Sequence, residues 1–324
     1  MVTGIEASKY LISHSANTER TDCVTKASEH ERNIDNKSAN GCLDGIGAIY
    51  YHQKENGILN SVDGKVVMKG APNDTETKKQ YQSKLSALGF YSGPIDGNMG
   101  SDICKKAIKN FQKVYGLSED GNMTSATRKK LNAAHNTYVK VSSSNEFKNL
   151  LNYKPDGKTK IFNYDASQRE NFARVCAFLK NSMGLNSVQI AGVLGNMHYE
   201  SQMSSDNAND NAGYKKVHDT SYKYSTGDGV AYGLIQWHYR SRKQGLLDTA
   251  NSMGLRFSDA NAQLAWLKTE IDSGNYSSWK NEKSSVNRST ELFADDIINN
   301  SSEAGMRKRK EAANAIYDLM KNVL

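Results

Sequence analysis

In residues 71–140 and again from Ala166 onward, apolar residues of this chain recur at helical spacing, and polar stretches rich in Gly, Asn, Asp and Ser interrupt them. The clearest case is NSVQIAGVLGNMHYES, residues 186–201, where Ile190, Val193, Leu194 and Met197 fall on one side of a helix. Asn186 or Ser187 can cap its start, and Asn186 with Gln189 has the capping-box spacing. Glu200 lies seven residues beyond Val193, so at 3.6 residues per turn it shares the apolar side near the C-terminal end. FARVCAFL, QLAWLKTEI and RKEAANAIYDLM continue the helical pattern toward the C-terminus. Between Ser201 and Val230 the pattern lapses into polar sequence with Tyr214, Tyr222 and Tyr224 spaced through it. Such a stretch cannot build a core but carries loops and short strands well, here around a cleft. AYGLIQW, residues 231–237, then reads as a short strand-like piece.

Upstream, DGNM occurs at residues 96–99 and again at 120–123, each copy feeding a Lys-rich helical segment. Two such turns predict a small helical bundle over residues 71–140, with Leu85, Leu88, Phe90, Ile95, Ile108, Phe111, Leu117 and Leu131 as its core. The run TYVKVSSSNEF, residues 137–147, has the composition of a linker. A linker over 141–164, with domain motion across it, is therefore expected before a C-terminal domain over 165–324. Residues 1–70 form an unassigned region. GAIYYHQKENGILNSVDGKVVMKG suggests two or three strands there, with turns at Glu55 to Gly57 and Asp63 to Gly64. The predicted fold class is α+β and mostly helical.

Charge is uneven along the 324 residues, which carry a net +7. Residues 71–144 hold 11 basic and 6 acidic side chains, whereas residues 1–70 hold 8 and 9. A basic middle segment is drawn to anionic surfaces, whether wall polyphosphates or nucleic acid. No nucleic-acid recognition motif accompanies it, so nucleic acid is not an expected partner. No apolar run approaches the ~18 residues of a membrane span. Residues 1–20 carry Glu6, Lys9, His14, Glu19 and Arg20 and do not read as a secretory signal. Cys23, Cys42, Cys104 and Cys176 are too scattered for a disulfide scaffold, although Cys23 and Cys42 could pair. His198, His218 and His238 lack metal-ligand spacing, so neither a metal nor another cofactor is expected.

The segment YQSKLSALGFYSGPIDGNMGSDICKKAIKNFQKVYGLSEDGNMTSATRKKL closely resembles the peptidoglycan-binding domain of wall hydrolases across residues 76–134. Thr124 departs from that pattern by replacing the family's second glycine, a change that could reshape the second turn. The Glu-Ser helix end followed by Gly-Leu-x-Gln resembles the goose-type lysozyme and lytic transglycosylase group. The longer series GVLGNMHYES, YGLIQWHYRSRKQGLL and QLAWLKTEI resembles the phage tail lysozyme family over residues 165–324. These resemblances imply a lysozyme-like catalytic domain that acts on bacterial peptidoglycan, with a Gram-positive wall as target. They also imply an endolysin or tail lysin of a bacteriophage, located in the virion or in the host cytoplasm before lysis, with virion tail proteins as possible partners. Residues 1–70 would then be a second wall-binding module, a virion-attachment piece or a regulatory segment.

Cleaving a β-1,4 glycosidic bond requires protonation of the leaving oxygen, and a carboxyl among apolar groups is pushed toward the protonated form this needs. Glu200 is the candidate acid. Asp206, Asp210, Asp219 and Asp228 are candidates for a second carboxylate. Asp228 stands first, because the goose-type resemblance places a water-positioning aspartate shortly before the Gly-Leu-x-Gln segment. Gln236 resembles the glutamine that faces the sugar in the transglycosylase group. Trp237, Tyr232 and Tyr199 are candidates for stacking on sugar faces. Arg242 matches an arginine of the phage family and is read equally as a substrate contact or as a salt bridge anchoring a helix. Three outcomes stay open: hydrolysis, lytic transglycosylation giving 1,6-anhydromuramic ends, and a virion structural protein that binds glycan without cutting it.

Overall fold

The computed structural model describes residues 74–209, 214–216, 222–299 and 302–324, with only the backbone given for 214–216. The strands expected within residues 1–70, the Cys23 and Cys42 pair, Asp210, Asp219 and His218 lie outside the described residues.

Three helices open the described chain: α1 (Thr75–Ala87), α2 (Asp102–Val114) and α3 (Ser125–Ser143). The two DGNM turns between them are built alike. Gln82 of α1 donates through Nε2 to Asp96 at 2.9 Å, and its Oε1 accepts from the Gly97 N–H at 2.7 Å. Gln112 of α2 repeats both bonds, to Asp120 at 2.7 Å and from the Gly121 N–H at 2.8 Å. In each turn the aspartate also accepts from the asparagine N–H two residues on, at 2.8 Å. Gly97 and Gly121 adopt φ of +81° and +73°, a left-handed conformation that a side chain would strain. The residue after the second turn does not reshape it. Thr124 instead caps α3, accepting from the Thr127 N–H, as Ser101 caps α2. Of the expected bundle core, Leu85, Leu88, Phe90, Ile108, Phe111 and Leu131 are buried, while Ile95 and Leu117 are only half-buried.

The segment expected to be a linker is helical in its first part. α3 continues through Ser143, and α4 (Asn145–Leu151) follows at once. Tyr138, Val141, Phe147 and Leu150 are all buried. The serine run that looks like linker composition closes one helix and starts the next. Ser142 and Ser143 donate to the Val139 carbonyl, and Ser144 caps α4 by accepting from the Phe147 N–H. The bundle also docks directly on the C-terminal part. Arg174, Asn261 and Ser182 donate to the carbonyls of Ala87, Leu88 and Val114 at the ends of α1 and α2. Asn110 of α2 returns a bond to the Met253 carbonyl at 3.1 Å. These bonds occupy helix-end carbonyls that lack intrahelical partners, in place of the mobile tether that composition suggests.

The C-terminal part comprises α5 (Ala166–Asn181), α6 (Ser187–Ser201), α7 (Arg240–Met253), α8 (Ala260–Ser273), α9 (Ser277–Asn281), α10 (Val286–Phe293) and α11 (Glu303–Met320), with a π-helical turn at Ala294–Ile298. A small antiparallel sheet of β1 (Asn207–Asn209), β2 (Tyr214–Lys216) and β3 (Ala231–Tyr232) follows α6, with β1 in the middle. The whole is mostly helical with a minor sheet, as the sequence predicts. α6 is the central element, buried along nearly its whole length against α10 and α11. Two glycines permit this closeness. A Cβ on Gly192 would sit 2.9 Å from Ser289 Oγ, and one on Gly195 would sit 2.6 Å from Ala313 Cβ and 2.7 Å from the Arg309 carbonyl oxygen.

Candidate active site

Glu200 is the penultimate residue of α6. Asn186 is the N-cap, with both bonds of the capping box to Gln189 present, so the start of the helix is set by local sequence. Its end comes at Gln202, which takes a left-handed φ of 52°. Glu200 is 5% exposed, and Arg309 of α11, 1% exposed, donates to its Oε1 at 2.5 Å. Burial lifts the carboxyl above the ordinary carboxylate range, against the opposing charge and hydrogen bond of Arg309.

The AYGLIQW segment closes into a tight turn beside this helix end. Tyr232 and Trp237 exchange backbone bonds at 3.1 and 2.9 Å, and the Gln236 N–H donates to the Gly233 carbonyl. Ser201, immediately after Glu200, donates to the carbonyls of Met197 and Leu234 at 3.1 and 3.0 Å. One side chain thus ties the Glu-Ser helix end to the Gly-Leu-x-Gln turn. Gln263 of α8 clasps the same turn: its Oε1 accepts from the Leu234 N–H, and its Nε2 donates to the carbonyls of Ser205 and Phe257. Gln236 has φ of 56°, and its Nε2 is spent on the carbonyls of Asn207 and Gly233. Its Oε1 is buried without a hydrogen-bond partner among the described residues. A buried acceptor left open in this way fits a ligand N–H or O–H.

Asp228 is placed differently. Lys243 of α7, whose side chain is fully buried, donates to Asp228 Oδ1 at 2.5 Å. Tyr222 donates to Oδ2 at 2.7 Å, and the Val230 N–H adds a bond to Oδ1 at 3.0 Å. Partial burial pushes this carboxyl up, but the bonds from Lys243, Tyr222 and Val230, with the Lys243 charge, hold it below the ordinary range. The Lys243 ammonium also lies 4.8 Å from the Tyr224 ring centre. In place of a free water-positioning carboxylate, Asp228 is the counter-ion of a buried lysine and pins the loop before β3. Asp206, another candidate, accepts from Ser204 and lines a polar hollow shared with Glu170, Arg174 and Asp259.

The aromatic candidates divide. Trp237 is fully buried, and its indole N–H donates to Glu270 at 2.8 Å, so it belongs to the core and offers no face to a sugar. Tyr232 is also fully buried, stacked on Tyr222 with ring centres 5.2 Å apart. Tyr199 is half-buried, and one face of its ring is taken by the Arg309 guanidinium at 4.3 Å. Arg242 makes two bonds to Glu270, at 2.6 and 2.9 Å, which is the helix-anchoring reading. His198 pairs with Tyr164 through Nδ1 at 2.9 Å, and burial pushes it down to about 4, while His238 is exposed.

Arg309, Lys243, Gln263 and Glu270 do not stand out in the sequence. Arg309 lies in the charged run RKRK, which reads as a solvated face. The available signal is its spacing: it precedes Ala313, Ile316 and Met320 by four, seven and eleven residues, which puts it on the buried stripe of α11.

Comparison with known proteins bears on this arrangement. Residues 170–320 match the family model described as phage tail lysozyme, and residues 76–131 match the putative peptidoglycan binding domain. The spore cortex-lytic enzyme of Oceanobacillus iheyensis is 33% identical over 104 residues, covering 31% of this chain and 37% of that protein. The chain therefore matches well under half the length of that relative. No solved structure matches. Glu200, Ser201 and the Gly233 to Gln236 turn all lie inside the first matched region, so this chain joins a region similar to the putative peptidoglycan binding domain to a lysozyme-like region similar to phage tail lysozyme.

Proposed function

We propose that the chain cuts the β-1,4 bond between N-acetylmuramic acid and N-acetylglucosamine in peptidoglycan, with Glu200 as the proton donor. The observation that carries this reading is a buried carboxyl at the end of α6, raised by burial and tied through Ser201 to the turn bearing Gln236. A protonated Glu200 gives its proton to the glycosidic oxygen as the bond to C1 breaks, and positive charge develops on the muramic ring. Water then attacks C1 and returns a proton to the Glu200 carboxylate, leaving a reducing end. Gln236 Oε1 serves as an acceptor for an N-acetyl N–H or hydroxyl of the glycan. The domain at residues 76–131 holds the wall, as the family match supports. The basic balance of residues 71–144 supports an anionic Gram-positive wall as target, and the family of the lytic domain supports a role in phage-mediated wall degradation.

The Asp228 pair with Lys243 favours a second reading, lytic transglycosylation. An enzyme without a free second carboxylate can use the muramic 6-hydroxyl, whose oxygen attacks C1 while its proton passes to Glu200. The product is then a 1,6-anhydro end, 18 mass units lighter than the hydrolytic one because no water (about 18 Da) is added. Digestion of purified peptidoglycan, with the fragments weighed by mass spectrometry, decides between them. Release of neither product would end both readings and leave a glycan binder.

A further inference from the structure

The Glu200 carboxyl does not stand alone at the end of α6. Asn196, Tyr199 and Glu200 occupy positions i, i+3 and i+4 of one helix, and all three engage a single guanidinium from α11. Arg309 donates through Nη1 to Asn196 Oδ1 at 3.0 Å and through Nη2 to Glu200 Oε1 at 2.5 Å, with the Tyr199 ring 4.3 Å from its centre. Asn196 is itself fixed, because its Nδ2 donates to the carbonyls of Gly192 and Thr290 at 2.8 and 3.0 Å. Gly195 lets the α11 backbone come close enough at Arg309 for this fork to reach. The chain of bonds thus runs from the backbone of α10 through Asn196 and Arg309 to one oxygen of Glu200. Glu200 Oε2 has no hydrogen-bond partner among the described residues.

We propose that Arg309 is a positioning residue for glycan cleavage, holding Oε1 so that Oε2 is the oxygen that presents the proton to the glycosidic bond. This rests on Glu200 being the proton donor. A planar guanidinium suits the task, since one nitrogen fixed on Asn196 aims the other at Glu200 Oε1. Arg309 also opposes the effect of burial, so it sets the pH at which Glu200 loses its proton. The other charged groups on the helices packed against α6 are engaged elsewhere or exposed. Lys310 and Arg288 pair with Glu291, Arg174 pairs with Glu170, and Arg307, Lys308 and Glu311 face solvent. His198, on α6 itself, is turned to Tyr164 and is neutral above about pH 4.

The test follows initial rates on purified peptidoglycan across pH for the full chain and for Arg309→Met, Arg309→Lys and Glu200→Gln, each checked for a cooperative melt. Removing the Arg309 charge leaves burial unopposed, so Arg309→Met should move the alkaline limb of kcat/KM upward by on the order of one pH unit. Arg309→Lys keeps the charge but loses the fork. It should leave the limb in place while lowering kcat about 10- to 100-fold through misplacement of the carboxyl. If Arg309→Met does not fold, the lysine variant decides alone. A folded lysine variant with wild-type kcat, or a folded methionine variant with an unmoved limb, overturns the inference. Glu200→Gln separates the two failures. If it retains lysis, the proton donor has been misassigned; if it is inactive while both Arg309 variants behave as wild type, only the role of Arg309 falls.

Discussion

Two carboxylates of the C-terminal, lysozyme-like part are each held by a buried cation, and the pairs are built to opposite ends. Glu200 is buried together with Arg309, accepts through one oxygen only among the described residues, and is raised. Asp228 lies at the edge of a loop, accepts from an ammonium, a phenol and a backbone N–H, and is lowered. Each hydrogen bond to a carboxylate stabilises its charged form, whereas removal from water without enough of them favours the neutral form. The count of donors, more than the presence of a cation, separates a group able to give a proton from one that anchors a loop. Aspartate and glutamate are near equals in sequence, so the difference is made by their surroundings.

The comparison breaks most sharply at Glu200. Glu200→Gln keeps the side chain's size and its bond from Arg309 but has no proton to give, so lysis should fall by about 10² to 10⁴. Turbidity loss of wall suspensions measures this, and a drop of less than tenfold would remove Glu200 from the chemistry. Asp228→Asn should instead act on stability, because it leaves Lys243 buried without a counter-ion. A cost of about 3 kcal/mol, near the lower end for breaking a buried pair, corresponds to a melting point lower by roughly 6–12 °C. The folded fraction should cut at close to the wild-type rate. A stable Asp228→Asn variant that has lost hydrolysis would restore the two-carboxylate mechanism.

The same pair has a pH signature. Asp228 titrates lower in the folded chain than the ~3.9 of an unfolded aspartate, so its contribution is fully present above that value and is lost as pH falls through the folded one. The gap in melting temperature between wild type and Asp228→Asn should hold from about pH 5 to 8 and narrow below about pH 4. A gap that persists unchanged at pH 2.5 would mean the destabilisation is steric.

Smaller effects sharpen the picture of the turn beside Glu200. Gln236→Ala removes the open acceptor and should raise KM roughly tenfold, the worth of one hydrogen bond of about 1.4 kcal/mol, with less effect on kcat. An unchanged KM would make Gln236 a brace of the turn alone. Trp237→Phe should cost about 1 kcal/mol of stability through its bond to Glu270 and leave KM for glycan alone, since the indole is buried. A KM increase confined to this variant would return Trp237 to the glycan.

What the sequence determined by itself was local. The Asn186 and Gln189 capping box, the apolar stripe that carries Glu200, the two DG turns and the helical patterns of α5, α8 and α11 depend on residues a few positions apart. The lysozyme-like and peptidoglycan-binding regions were legible in motifs of the same short range. Composition misled over Ser142 to Ser144, because serine hydroxyls close and cap helices as readily as they solvate a linker. Trp237 and Tyr232 were misread because an aromatic beside an apolar strand has the same spacing whether it faces a cleft or the core. Tertiary structure alone decided the partners of the two carboxylates. Arg309 lies 109 positions from Glu200 and Lys243 lies 15 from Asp228, and nothing along the chain links either pair. They meet only because Gly192 and Gly195 let α10 and α11 close on α6, and because α7 turns the Lys243 side chain inward beneath the loop. Protonation state follows from burial and donor count, which exist only once the chain has packed.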